Sequence, residues 1–280
     1  MSDNSKEIKY PKYSVLMSVY AGEKAEFFDK SIKSILTQTL PTDDFVIVTD
    51  GELTDELDRV LEKYCTAYPF IRVIRSKKCG VGMCANKGLA ACRHEYIVKM
   101  DSDDIAHKDR CELSMKLFAK HPELDMVGAY IDEFDSDTGE HIAYKKTPVT
   151  NEEIRQYARR RNPFNNQTLC YRRSMAQRIG GYTDIPRCED YEFVINMLMA
   201  GAIGRNIPKV LVDYRVNEGN YKRRSNWVNT KAFFRVRYSN WRKGYSRFSD
   251  FLVPCAFQLF MFIMPSGLTS VLYKRFLRNS

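Results

Sequence analysis

Two carboxylates one residue apart, Asp101-Ser102-Asp103, follow directly on the apolar run Tyr96–Met100. Such a pair can face one hard cation together with phosphate oxygens, because Mg2+ keeps several waters and takes only one or two protein carboxylates. Mn2+ accepts similar oxygen ligands. The same residues also fit a solvated acidic turn, since Asp caps helices well. Asp50-Gly51 ends a second apolar run and reads as a turn or as another acid on the same edge. Gly80-Val81-Gly82-Met83-Cys84-Ala85-Asn86-Lys87-Gly88 resembles a dinucleotide-binding loop only superficially. Ala85 stands where glycine is required and the third strand precedes it, so a Rossmann dehydrogenase fits poorly. Glu189-Asp190 open an apolar helix, either as a cap favoured by the helix dipole or as a general base at a cleft mouth.

The elements that must position these residues alternate in type. Tyr13–Val19 and Phe45–Val48 are short β-branched runs that predict buried strands, as do Phe70–Ile74 and Tyr96–Met100. Between them, Phe28, Ile32, Ile35 and Leu36 recur at helical spacing, residues 53–68 read as a helix stopped by Pro69, and residues 80–92 as a turn entering a helix. This alternation predicts an α/β domain with a mainly parallel sheet. Ligands on such sheets gather at the carboxyl ends of the strands, where Asp50 and Asp101 fall. Later, Met126–Phe134 and His141–Tyr144 flank Asp135-Ser136-Asp137-Thr138-Gly139 and predict a hairpin, residues 151–161 predict a helix, 168–171 are an apolar run, Glu189 opens a helix and Val210–Val216 predicts another strand.

The charge is unevenly placed along the 280 residues. Residues 1–150 carry 21 basic and 26 acidic side chains, and residues 151–280 carry 23 and 9. From Arg215 onward, 13 cations face two acids, which points to an anionic partner: nucleic acid, phosphate or membrane surface. The eight cysteines include no CxxC pair, and the four histidines lack zinc-ligand spacing, so reduced cytosolic thiols are expected. The N-terminal residues contain no apolar signal core.

The order of these segments resembles the family 2 glycosyltransferases, inverting enzymes of the GT-A fold, and within them the bacterial group that builds capsular and exopolysaccharides. The resemblance is carried by SVLMSVYAGE with SIKSILTQTLP, then VTDGELT, GVGMCANKGLA, YIVKMDSDDIAHKDR, RCEDYE and YRVNEGNYKRRS. It implies a Rossmann-like GT-A domain over residues 13–224, after a lead of residues 1–12 and before a helical extension over residues 225–280. It implies Ser18 and Tyr20 in a nucleotide pocket, Asp50 on the nucleobase and Asn86 near ribose or diphosphate. Asp101 would approach the ribose and, with Asp103, a Mn2+ or Mg2+ ion bridging the diphosphate. Asp190 would be the catalytic base, with Glu189 beside it contacting acceptor or donor sugar. Arg215, Arg223 and Arg224 would reach the diphosphate from a flexible segment after the core. Cys79 and Ala85 depart from the Asn and Arg that many relatives carry there.

Residues 251–273 are 23 uncharged positions between cationic flanks. A membrane crossing needs about 20 apolar residues, and Pro254 and Pro265 leave only ten free of proline between them. A monotopic or re-entrant segment on the cytoplasmic face of the plasma membrane is therefore expected, with a packed helix or a true span as the alternatives. The expected function is transfer of a sugar from a nucleotide-sugar donor, UDP-linked by expectation, to a lipid-linked glycan. A nucleotidyltransferase would want a glycine- and basic-rich loop after the first strand, where only Gly22 and Lys24 stand. A nucleic-acid-binding protein using the basic tail conflicts with the acidic first half, so no nucleic-acid partner is expected.

Overall fold

A computed structural model describes residues 9–185, 187–216 and 227–263. Four strands, β1 (Tyr13–Tyr20), β2 (Phe45–Asp50), β3 (Ile71–Ile74) and β4 (Tyr96–Asp101), pair in parallel in the order β3-β2-β1-β4. Their crossovers are the helices α1 (Ala25–Leu36), α2 (Asp55–Ala67) and α3 (Val81–Ala91). This is the predicted βαβ series, with boundaries shifted by one to three residues. The sheet continues through β8 (Cys170–Arg172), β6 (Met126–Asp135) and β9 (Gly204–Val216) to β5 (Ile105–Ala106), with β7 (His141–Lys145) paired to β6. Beyond β4 only β6 and β9 pair in parallel, so the sheet is mixed on that side.

Period-two alternation divides the core between the two sheet faces. Tyr13, Val15, Met17 and Val19 face α1, α2 and α4 (Arg110–Lys120). Leu16, Val46, Val48 and Ile97 face α3, α5 (Asn151–Ala158), α6 (Arg173–Arg178) and α7 (Glu189–Met199). Phe28, Ile32 and Ile35 of α1 are shielded from water, each contributing roughly 1.5–3 kcal/mol. On the other face, a Cβ at Gly88 of α3 would lie 2.0 Å from Leu16 Cδ1, so glycine is what lets this helix seat on β1. Local signals fix helix starts. The Thr54 hydroxyl accepts from Leu57 N–H, and Thr150 with Glu153 forms a reciprocal capping box.

Residues 105–125 had no sequence assignment and contain β5 and α4, whose buried Cys111, Ser114, Met115 and Phe118 lie on one helical face. The C-terminal part is helical, with α8 (Trp227–Arg242) and α9 (Phe248–Ile263). Ala232 and Val236 of α8 join the same core as α7. Pro254 does not break α9, contrary to the expectation. A proline removes one backbone donor, and here the helix absorbs that loss. Among the described residues no helix is long and apolar enough to cross a membrane.

Candidate active site

The face that carries Leu16, Val48 and Ile97 also carries, at the carboxyl ends, Ser18 of β1, Asp50 of β2, and Lys99 and Asp101 of β4. Strand register sets Ser18 opposite Asp101 and Tyr20 opposite Asp50. Tyr20 is exposed and Ser18 half-buried. The parallel sheet thus gathers four of the residues singled out in the sequence at one edge.

Helix α1 fixes the acidic turn from below. Ser31 Oγ donates to the Asp101 carbonyl at 2.8 Å, Ser34 Oγ accepts from Ala106 N–H, and Gln38 Nε2 donates to the His107 carbonyl. Ser31 and Ser34 share one face of α1, and Gln38 follows just past its end, so these three buried polar residues of SIKSILTQ all hold the turn. Ser102 Oγ donates to Glu23, which stands in the loop after β1 and adds a carboxylate that sequence reading missed. Burial, then the charges of Glu23 and Asp101, push the Asp103 carboxyl up to about 7. Asp104 is fully buried. Its Oδ1 accepts from Arg215 N–H at 3.0 Å while its Oδ2 has no partner, and burial with the charges of Asp103 and Asp101 pushes its pKa well up.

Lys99 was also missed, although a lysine inside an apolar strand, two residues before an Asp, is a readable signal. Its buried ammonium donates to Asp101 Oδ1 at 2.5 Å. Burial lowers its pKa, but the carboxylates of Asp101, Glu189 and Asp190 outweigh that and raise it. Lys99 therefore couples the end of β4 to the start of α7. At that start Arg187 and Cys188 have φ of 68° and 59°, two consecutive non-glycine residues in the left-handed region. Such conformations cost about 1–3 kcal/mol each and persist where the surroundings enforce them. They turn Glu189 and Asp190 toward the sheet edge. Asn162 Nδ2 donates to Asp190 Oδ2 at 3.0 Å, and burial followed by Asp190's charge pushes Glu189 up to about 7. Glu189 also lines a cleft of about 240 Å³ between residues 79–83 and residues 183–185 with Arg187.

Two of the expected site residues are engaged within the protein. Asn86 does not face the edge: its amide nitrogen donates to the Tyr182 carbonyl at 2.7 Å and its oxygen accepts from Tyr182 N–H at 2.8 Å. Both ends of the amide are used in clasping α3 to the segment before α7. Arg215 lies in β9 and not in a flexible segment. Its guanidinium is buried between the Phe27 and Phe134 rings, 3.8 and 4.7 Å from their centroids, and donates to the Asp103 carbonyl at 2.9 Å. It therefore props the acidic turn from within the protein. Arg223 and Arg224 fall outside the described residues.

Asp50 has a second environment. Its Oδ1 accepts from Cys79 N–H at 2.6 Å and from Gly80 N–H at 3.0 Å, so it caps the turn into α3. Ligand atoms of Asp50, Cys79 and Cys84 lie within 4.8 Å of one another, a grouping of distant residues that linear spacing does not reveal. All eight cysteines are free.

The chain is 33% identical to an uncharacterized glycosyltransferase of Haemophilus influenzae over 268 residues, 96% of this chain and all of the relative. It is 29% identical to the UDP-Gal:alpha-D-GlcNAc-diphosphoundecaprenol beta-1,3-galactosyltransferase of Escherichia coli, covering 100% of this chain and 99% of that one. To the amylovoran biosynthesis glycosyltransferase AmsE of Erwinia amylovora it is 31% identical, over 84% of this chain and 89% of that one. Among solved structures, S. aureus TarS 1-349 superposes with TM-score 0.66 at 17% identity, over 92% of this chain and 74% of that chain. In a longer TarS structure the match spans 39% of that chain. The Pyrobaculum calidifontis mannosyltransferase PcManGT, solved with GDP-Man and Mn2+, superposes with TM-score 0.64 at 15% identity, over 95% and 80% of the two chains. The architecture is that of GT-A glycosyltransferases. Residues 14–180 match the family described as Glycosyl transferase family 2, and the chain belongs to that family.

Proposed function

We propose that the protein transfers a sugar, with inversion, from a UDP-linked donor to a hydroxyl of a lipid-linked glycan. The observation that carries this reading is the meeting of two acid groups at one sheet edge: Asp101 and Asp103 with Glu23, and Glu189 with Asp190, bridged by Lys99. The first group fits a divalent cation. Its acids crowd one another, and Asp104 keeps a buried oxygen without a partner. Asp103 and Asp101 would hold Mn2+ or Mg2+, which offsets the charge developing on the leaving diphosphate. Ser18, Tyr20 and Asp50 would line the nucleotide, Asp50 through lone pairs left beyond its two backbone bonds. Arg223 and Arg224 would meet the diphosphate, while Arg215 positions the Asp103–Asp104 turn.

An acceptor hydroxyl is a weak nucleophile and must lose its proton as it attacks C1 of the donor sugar. Asp190 takes that proton as the general base, held in place by Asn162 and by Lys99 on the sheet side. Glu189 beside it would contact acceptor or donor sugar. Direct displacement from the face opposite the diphosphate inverts the anomeric centre. The nucleotide-sugar donor and lipid-diphosphate acceptor named for the E. coli relative support the substrate classes. A peripheral or monotopic seat on the cytoplasmic face of the plasma membrane, reached through residues 225–280, would bring the site to such an acceptor. Apolar side chains of α9 are exposed there, as are Trp227 and Tyr238 of α8.

The test is a panel of nucleotide sugars with Mn2+, scored for transfer and for protection against unfolding, repeated on Asp190→Asn. The variant is expected to lose about 10²–10⁴-fold in kcat while binding nucleotide like the wild type. Wild-type turnover by Asp190→Asn would overturn the assignment of the base.

A further inference from the structure

Apart from the cleft beside Glu189, the chain has a cavity of about 480 Å³ between the end of α5 and the start of α9. Arg159, Arg160, Arg161 and Arg247 line it, with Tyr157 and Asp250. Arg160 Nε donates to Asp250 Oδ1 at 2.7 Å, and Asp250 is buried. Arg159 and Arg247 add two more guanidinium groups against that one lining carboxylate, so the wall they form is cationic. Guanidinium forks match phosphate oxygens bidentately, so arginine is the side chain suited to this role.

Two features give the cavity a direction. Its inner wall is tied to the proposed base by short connections: Tyr191 Oη donates to the Ala158 carbonyl at 2.7 Å, and Asn162 holds Asp190. Ala158 and Asn162 bracket the three consecutive arginines, and Tyr191 follows Asp190. In addition, Arg237 Nη2 donates to the Arg160 carbonyl while its guanidinium lies 5.4 Å from the Tyr191 ring. The outer wall opens onto α9, where Phe248, Leu252, Val253, Phe257, Leu259 and Phe260 are 43–58% exposed. Contiguous apolar exposure beside cations suits the boundary between headgroups and acyl chains.

Resting on the glycosyl-transfer reading, we infer that this arginine cavity binds the diphosphate of the lipid-linked acceptor, with its hydrocarbon chain running along the exposed face of α9. A ligand anionic at its head and apolar in its tail matches both walls at once. It would also place the sugar attached to the diphosphate on the Asn162–Asp190 side. A nucleotide alone would leave the apolar wall unmatched.

The test uses the full chain and the variant Arg159→Ala/Arg247→Ala, which spares the Arg160–Asp250 pair; both altered side chains are exposed. Flotation is measured on phosphatidylcholine vesicles doped with a polyprenyl diphosphate or, at matched charge, with phosphatidylglycerol. The variant is expected to bind diphosphate vesicles about tenfold more weakly, as loss of two solvent-exposed ion-pair contacts implies, and to lose far less on phosphatidylglycerol. With a lipid-diphosphate acceptor its KM should rise by a similar factor while kcat holds. Unchanged binding to diphosphate vesicles, or equal losses on the two vesicle types, would overturn the inference; equal losses would mark a generic anionic surface. Flotation requires no turnover. If the vesicle result holds but no nucleotide sugar supports transfer, the cavity assignment stands and the glycosyl-transfer reading falls.

Discussion

Asp44 and Asp104 are both fully buried, at opposite ends of the parallel strands, and their surroundings treat them in opposite ways. At the amino-terminal edge, Asp44 Oδ2 accepts from Ser14 Oγ at 2.6 Å and Arg93 N–H at 2.8 Å, while Oδ1 accepts from Arg72 Nε at 3.1 Å and Nη2 at 2.5 Å. Burial raises its pKa, but these donors outweigh it and hold the carboxyl below its usual range. At the carboxyl edge, Asp104 has one backbone donor for two oxygens, and its neighbours Asp103 and Asp101 are acids. A buried acid that serves only the fold is supplied with donors until it is satisfied. The acids at the other end have fewer donors than oxygens and crowd one another's charge, which perturbs their titration.

The contrast predicts opposite signs for similar substitutions. Asp44→Ala orphans Arg72, Ser14 and the Arg93 amide together, and should destabilise the protein by about 3–5 kcal/mol, read as a lowered urea midpoint. A loss below about 1 kcal/mol would remove the contrast. Asp103→Asn removes a crowded charge and should instead raise stability in EDTA at pH 8, by roughly 1–2 kcal/mol. The same variant should lose the Mn2+-dependent part of nucleotide affinity. Destabilisation, or retained metal dependence, would show that Asp103 is a structural acid like Asp44.

This contrast was only half legible in the sequence. Strand ends could be read from short β-branched runs, and that placed Asp50 and Asp101 on one edge before any contact was known. The helices over 25–36, 55–67 and 189–199 followed from apolar spacing, and the hairpin from the turn residues between Asp135 and Gly139. What escaped was whatever depends on a partner distant in sequence. Asn86 reads as a ligand contact in its motif, but its partner is a backbone amide 96 residues away. Arg215 reads as a free cation in a loop because nothing local announces the Phe27–Phe134 sandwich. Glu23 and Asn162 belong to no periodic pattern, and only the closed sheet brings them to Asp103 and Asp190.

Glu189 lets the contrast be followed along pH. It is a carboxyl raised to about 7, by burial first and Asp190 second, with Lys99 opposing. An acid whose folded pKa lies above its unfolded value favours folding in its protonated form. That contribution is fully present below about 4.5 and is lost as pH rises through about 7. Glu189→Gln should therefore gain stability relative to the wild type across that window, by about 1 kcal/mol at pH 8, and not below it. Chemical denaturation at pH 4.5 and 8 reads the difference, and a gap independent of pH would contradict the assigned environment.

The smallest expected effect concerns a pair just outside the acid cluster. His107, directly after β5, and Asp213 of β9 are 2.6 Å apart, and the hydrogen bond to Asp213 raises the imidazole pKa despite partial burial. A cation raised in this way stabilises the fold fully below the unfolded value near 6.5, and the contribution is lost as pH rises through the folded pKa. The pair is about one-third exposed, so solvent screening limits it to roughly 0.5 kcal/mol. Asp213→Asn should cost that much at pH 5.5 and nothing at pH 9, whereas Glu189→Gln changes nothing at low pH and gains at high pH. A loss confined to low pH at Asp213, beside a gain confined to high pH at Glu189, would show that the excess negative charge is confined to the cluster around Asp103, Asp104 and Glu189. A gain at high pH from Asp213→Asn as well would mean that the whole carboxyl edge is under-neutralised, and the distinction between the two ends of the sheet would then extend to every acid along that edge.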